Sequence, residues 1–227
     1  APTPAPTPVP PVSAQGDPHV STITGETYDL WKTGWSTFVQ IPRSEKGEAA
    51  KLWVRGDVRR YGRDACAPSF LSQVHINGTW LDDHHVAVRS GSLESSDPFS
   101  VTVDGGNSQQ LRSDAETVFL DESGVRVTGD IGTASDDWGP DARLKLNVGS
   151  RELDIVQHTE GRGENSNAML DLSISGLGDL VEPVGGWLGV DGAHLAGEAP
   201  IECRKGKDNS DLTALQRTAS VPGVYSH

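Results

Sequence analysis

The sequence predicts an all-β fold, either an antiparallel β-sandwich or a stack of meandering sheets. Three observations support this fold class. Apolar and polar residues alternate over several short segments, turn-forming residues separate those segments, and outside residues 212–218 no stretch carries the apolar spacing of a helix. With 227 residues, 35% of them hydrophobic and 22% charged, the chain is long enough to bury a core.

The alternating segments place apolar side chains at every second position, so that each strand has one face toward a core and one toward water. These segments are 86–89, 101–103, 118–120, 125–127, 144–148, 153–155 and 170–174. The turn-forming residues between strands are Asn77-Gly78, Asp104-Gly105-Gly106, Ser123-Gly124 and Gly149-Ser150. We therefore predict hairpins centred on Ser123-Gly124 and Gly149-Ser150.

Composition divides the chain into three parts. Residues 1–15 are rich in proline and predict an extended linker of the polyproline II type. Residues 16–203 carry the strand patterns and form the predicted β domain. Residues 204–227 are polar and predict a C-terminal tail.

The net charge and the hydropathy of the chain limit the kinds of partner that it can bind. The formal net charge of −13 argues against nucleic-acid binding, which requires a basic face. It is compatible with cation binding and with high solubility. No apolar run approaches the roughly 20 residues that a membrane-spanning helix needs, so we expect no membrane insertion.

The tetrapeptide Gly16-Asp17-Pro18-His19 lies where the Pro-rich segment meets the β-patterned body. An Asp carboxylate can attack its own carbonyl carbon, and the proline nitrogen is a more basic leaving group than an ordinary amide. A neighbouring His can relay the proton, because its ordinary pKa of about 6.5 is near neutral pH. The alternative is that Pro18 only fixes the backbone at the start of a strand.

The residues after this tetrapeptide extend the pattern. A hydroxyl residue (Thr22), a glycine (Gly25), an aromatic residue (Tyr28) and an aspartate (Asp29) follow in turn, and a predicted strand comes next at 38–41. This run resembles the start of a von Willebrand factor type D domain. The Gly-rich segment 185–192 resembles a later loop of the same family. The resemblance brackets residues 16–203 and implies a type D-like β fold. The chain departs from the family in having only two cysteines, because ordinary type D domains are rich in disulfides.

The resemblance implies a non-catalytic structural or adhesion module of a larger secreted or cell-surface glycoprotein. Its partners would be other protein modules or copies of itself, met through assembly or matrix contacts. Some family members cleave themselves within Gly-Asp-Pro-His. That reaction would use Asp17 as nucleophile, Pro18 as leaving nitrogen, His19 as proton donor and Gly16 for backbone freedom.

Three further expectations follow from an extracellular location. The two cysteines, Cys66 and Cys203, are either free thiols or one disulfide, and a secreted protein favours the disulfide. Asn77-Gly78-Thr79 is an N-glycosylation sequon. Calcium is the cofactor that the family's late loop would hold, here through Asp191 alone, and the alternative is that Asp191 is a solvated surface charge.

Two other kinds of site are considered from residue types that recur in the sequence, a metal site and a carbohydrate site. The run Asp82-Asp83-His84-His85 suggests a metal, but adjacent strand residues point to opposite faces, so zinc is a minor alternative. Tryptophans on a β surface can stack on sugar rings, which makes a carbohydrate-binding module the alternative function; otherwise they pack in the core. The chain has six, at positions 31, 35, 53, 80, 138 and 187. No Gly-x-Ser-x-Gly elbow is present, so a conventional hydrolase is not expected.

Overall fold

The computed structural model describes residues 10–16, 19–45, 47–61, 66–112, 115–132, 138–192, 197 and 203. These residues form an all-β fold of antiparallel strands, which confirms the predicted fold class. The strands are β1 (Val12–Gln15), β2 (His19–Ser21), β3 (Thr27–Asp29), β4 (Gly34–Ile41), β5 (Leu52–Arg60), β6 (Ser69–Asn77), β7 (Val86–Arg89), β8 (Ser100–Val103), β9 (Thr117–Glu122), β10 (Val125–Ile131), β11 (Ala142–Val148), β12 (Arg151–Glu160) and β13 (Asn167–Ser175). Short 3-10 turns lie at Gly47–Ala49, Thr79–Leu81 and Gly163–Asn165.

The strands form two groups that share one hydrophobic core. The first group has the order β3-β2-β1-β13-β12-β11-β10-β9, and the second is the meander β4-β5-β6-β7-β8. The groups join where Leu71 of β6 pairs with Leu170 of β13. Buried side chains from both groups belong to a single apolar cluster, as expected when two β layers pack face to face.

Both predicted hairpins are present. Glu122 pairs with Val125 across Ser123-Gly124, and both turn residues have positive φ, 52° and 79°. This backbone matches the right-handed twist of the flanking strands. Val148 pairs with Arg151 across Gly149-Ser150, where Gly149 has a φ of 58°. Turn chemistry therefore sets the register of the β9–β10 and β11–β12 pairs.

The β body starts earlier than the predicted boundary at residue 16. Strand β1 lies within the segment that composition assigns to the linker, yet it pairs with both β13 and β2. Val12 and Ala14 are buried in the core. The structure thus places residues 12–15 in the first strand group, because their alternating apolar side chains complete the face next to β13.

The two segments that carry the family resemblance meet in space. The backbone N–H groups of Trp187 and Leu188 donate to carbonyls of β4, and Ile23 donates to the carbonyl of Leu188. The hydroxyl of Tyr28 donates to the carbonyl of Trp187. Gly186 has a φ of +88°, and a Cβ there would lie 2.6 Å from the carbonyl oxygen of Phe38, so only glycine allows this approach.

Candidate functional site

The ends of the Gly16–His19 tetrapeptide are held by two carboxylates. Gly16 has a φ of +62°, and its N–H donates to Asp171 at 2.7 Å. His19 begins β2, and its exposed ring contacts Asp29 on β3 at 2.7 Å. Asp17 and Pro18, the predicted nucleophile and leaving group, lie outside the described residues. Self-cleavage at this bond therefore stays a prediction.

Asp171 also belongs to a network that we call the Asp–His–Asp network, formed by Asp141, His158 and Asp171. The His158 ring lies 3.4 Å from Asp141 and 3.1 Å from Asp171. Hydrogen bonds to Asp141 and then Asp171 raise the pKa of His158 to about 10, against the opposing effect of burial. His158 is therefore a cation at neutral pH. It links β12 and β13 on the face away from the core, next to the end of β1.

The charge on His158 should make the free energy of unfolding depend on pH in the neutral to alkaline range. A His pKa raised from 6.5 to about 10 on folding contributes stability that is fully present below pH 6.5 and is lost as the pH rises through about 10. We expect His158→Gln to be less stable than the wild type at pH 6, and the gap to close toward pH 10. Urea denaturation of both proteins across this range measures the gap. A gap that stays constant with pH would contradict the assignment of a charged His158.

Asp191, the predicted calcium ligand, already has partners. One carboxylate oxygen pairs with Arg43, and the other accepts the N–H of Gly186 at 2.8 Å. These contacts close the 185–192 segment against the end of β4. A calcium ion at this carboxylate would have to compete with the guanidinium. In the described ranges, no group of three or more His, Cys, Asp or Glu side chains could hold a metal ion.

Cys66 and the sequon lie close to the ends of strands in the second group. The sulfur atoms of Cys66 and Cys203 are 2.15 Å apart, so the predicted disulfide is formed. Cys66 lies in the connection between β5 and β6. Asn77 ends β6 opposite Trp53, and its side-chain oxygen is buried with no hydrogen-bond partner among the described residues.

The two adjacent histidines lie just before β7 and not on a strand, as the sequence argument had assumed, yet they point to different neighbours. His84 contacts Asp104 at 2.7 Å and Glu122 at 3.2 Å. His85 instead packs against His75, with ring centroids 5.0 Å apart. The hydrogen bond that His84 donates to Asp104 raises the pKa of His84, whereas burial lowers the pKa of His85. These two side chains therefore do not share one ion.

The outward face of the meander carries an unusual set of aromatic and cationic side chains. We call it the aromatic–cationic face, formed by Trp35, Trp53, Arg55, His75 and His85. Strand register accounts for Trp35, Arg55 and His75, because directly paired residues point to the same face of a sheet. Trp53 lies two positions before Arg55 on β5, and His85 lies just before β7. The central row across the five strands is Thr37, Arg55, His75, Ala87 and Thr102, and the next row is Trp35, Asp57, Gln73, Arg89 and Ser100.

Aromatic and cation–π contacts connect the side chains of the aromatic–cationic face. The Trp35 and His75 rings are 4.5 Å apart between centroids, at 60°. The guanidinium carbon of Arg55 lies 4.3 Å from the centroid of Trp53 and 5.8 Å from that of Trp35. Burial, followed by the nearby His85 and Arg55, lowers the pKa of His75 to about 4. At neutral pH His75 is thus uncharged, and the guanidinium of Arg55 beside it lies against Trp53 and near Trp35.

Two depressions flank these rings. The first is an open cavity of about 320 Å³, lined by Lys32, Trp35, Ser36, Thr37, Arg55 and Trp187. The second, of about 210 Å³, is lined by Gln73, His75, Ala87, Val88, Arg89, Ser100, Thr102 and Ser108. Trp35 lines the first depression and His75 lines the second, and these two rings contact each other. Small-molecule sites have volumes from roughly 300 Å³ upward, so the first cavity suits one small ring.

Trp35 and Trp187 show how the tryptophans divide between surface and core. Trp35 is 47% exposed, whereas Trp187 is 1% exposed and packs on Phe38 with centroids 4.9 Å apart. Sequence reasoning named both as candidates but could not separate them. It did not name Lys32, Arg55 or His75, because only strand register brings them beside Trp35.

Comparison with known proteins identifies no family for this chain. No protein-family model matches the chain, and no curated protein matches it. The likeness to type D domains therefore rests on the motif residues given above. No helix in the described ranges has the length and apolar character to cross a membrane.

Proposed function

We propose that this chain is a non-catalytic extracellular adhesion module that binds carbohydrate on the aromatic–cationic face. The observation that carries the proposal is Trp35, a large aromatic side chain left 47% exposed on the outward face of a five-stranded meander. An exposed indole with an apolar face and nearby polar groups is the usual platform for a sugar ring.

The surroundings of Trp35 support a ligand longer than one ring. Five strands at spacings of about 4.8 Å make a face roughly 19 Å wide. One depression lies on each side of the Trp35–His75 pair. The second depression offers amide, guanidinium and hydroxyl groups from Gln73, Arg89 and Ser100, which can bond to sugar hydroxyls. A short oligosaccharide could lie across the strands in this arrangement.

The extracellular part of the proposal draws support from the disulfide. A Cys66–Cys203 bond is typical of oxidising compartments and rare in the cytosol. Other modules of a larger protein, or copies of this chain, remain the proposed protein partners, and the bound glycan would link the module to a cell surface or matrix.

Trp35→Ala should weaken glycan binding and leave the fold intact. Loss of a central tryptophan at a recognition site costs about 2 kcal/mol or more, which is roughly 30-fold in affinity. The free energy of unfolding should change little, because the side chain is half exposed. A glycan array would identify the ligand, and calorimetric titration would measure the affinity of the wild type and of Trp35→Ala for it.

Val118→Ala is the matched control, because Val118 is 50% exposed but lies on β9 in the other strand group. It should bind the glycan like the wild type. Failure of the wild-type protein to bind any saccharide, or equal affinity of Trp35→Ala and wild type, would contradict the proposed function.

A further inference from the structure

The first cavity on the aromatic–cationic face combines stacking groups with positive charge. Its lining includes the exposed Trp35, the hydroxyls of Ser36 and Thr37, and the cationic side chains of Lys32 and Arg55. Thr37 accepts a hydrogen bond from the Trp53 indole at 3.2 Å, so its own proton is available for a ligand. The cavity thus offers hydrogen-bond donors around one exposed ring.

Lys32 and Arg55 differ in their partners from six arginines of the protein. Arg43, Arg59, Arg89, Arg126, Arg143 and Arg162 all pair with carboxylates. Within the described residues, neither Lys32 nor Arg55 forms an ion pair, and the Nε atom of Arg55 is buried without an acceptor. Arg151 resembles Arg55, because it lies against Trp80 and its Nε atom is buried without an acceptor, but it lies away from this cavity. The chain has 32 acidic and 19 basic residues, so acidic partners are in excess. Two cations left without a carboxylate at one cavity are therefore available to an anionic ligand.

The aromatic rings hold Arg55 in place for this role. Its guanidinium lies against Trp53 and near Trp35, which orients the planar group without consuming its N–H donors. The closest acidic residue in the strand register is Asp57, two positions along β5. Asp57 is buried, and its carboxylate bonds to Arg59 at 2.9 Å and to Ser72 at 3.1 Å. Little negative charge therefore reaches the cavity from this side chain.

We infer that the ligand of this cavity is an acidic saccharide. Its pyranose ring stacks on Trp35, and its carboxylate or sulfate group accepts hydrogen bonds from Arg55 and Lys32. This inference rests on the proposed function and specifies the substrate class of the same face. A guanidinium matches the two oxygens of such a group, and charge-assisted hydrogen bonds are about twice as strong as neutral ones.

The test compares matched saccharides by calorimetric titration of the full chain. Galacturonate hexasaccharide and its methyl ester differ in carboxylate charge and in one methyl group per ring, and a sulfated galactan oligosaccharide and its desulfated form differ only in sulfate. We expect at least one acidic probe to bind about tenfold more tightly than its neutral counterpart. That preference should shrink as salt is added, because salt screens an exposed charge contact. The pair that shows it identifies the anionic group.

Lys32→Gln and Arg55→Gln should each remove most of the preference for the acidic probe, measured within each variant as the ratio of its affinities for the acidic and the neutral saccharide. Lys145→Gln is the matched control, because it changes the net charge equally on β11, where Lys145 faces Glu152. It should keep the preference. Arg55→Lys separates charge from geometry and should retain only part of the preference.

The outcomes separate this inference from the proposed function. Neutral and acidic probes bound equally well, with both lost in Trp35→Ala, would overturn the acidic ligand and leave carbohydrate binding standing. No binding of any saccharide would overturn both. Polyglutamate bound as tightly as the acidic saccharide would overturn the sugar assignment, because the cations alone would then account for recognition.

Discussion

Replacing Cys66 and Cys203 by serine is expected to lower the free energy of unfolding by about 4 to 5 kcal/mol. The disulfide joins residues separated by 137 positions, so reduction frees a very long loop in the unfolded chain. It also ties the β5–β6 connection to the end of the predicted domain, beyond the segment 185–192. Urea denaturation of the double variant and the wild type measures the difference.

Reductant supplies the control for this expectation. Reduced wild-type protein should unfold at the same urea concentration as the double serine variant, and the variant should not respond to reductant. Equal midpoints for oxidised and reduced wild-type protein would show that the bond contributes nothing to stability.

Trp187→Ala is expected to cost about 3 to 5 kcal/mol of unfolding free energy. The indole is 1% exposed and packs on Phe38, and the surrounding backbone bonds to β4 leave little room for the cavity to collapse. The substitution should also loosen the floor of the first cavity, because Trp187 lines it. Thermal or urea unfolding followed by circular dichroism measures the loss.

The same substitution at an exposed tryptophan is the control. Trp35→Ala removes an equal side chain that is 47% exposed, so it should cost far less stability. Similar losses at the two positions would contradict the assignment of Trp187 to the core. A small loss at Trp187 would mean that the 185–192 segment is not part of the cooperative fold.

Much of the β architecture could be predicted because its signals are local. In strands 144–148 and 153–155, buried and outward side chains alternate without interruption, and Gly149-Ser150 supplies the turn between them. A period of two residues and a two-residue turn are properties of neighbouring positions, so no tertiary contact is needed to recognise them.

Other strands escaped prediction because their signals depend on the rest of the fold. Strand β1 has only four residues, and it becomes a strand by pairing with β13, about 160 residues away. Strands β5 and β6 carry Arg55, Gly56, Gln73 and His75 among their apolar residues. Gly56 is required because a Cβ there would lie 2.5 Å from Leu71 and 2.6 Å from Phe38, a restriction set entirely by packing.

By itself the sequence determined the all-β class and the central hairpins, because alternation and turn residues can be read directly. It left Cys66 and Cys203 as either free thiols or one disulfide, and the structure shows the disulfide. Only the tertiary structure decided which carboxylates are already engaged, as Asp191 is by Arg43, and which tryptophan faces water. It also placed Lys32, Trp35 and Arg55 around one cavity. These residues become neighbours through strand register and through the approach of segments that are distant in sequence. Neither produces a periodic pattern in the sequence.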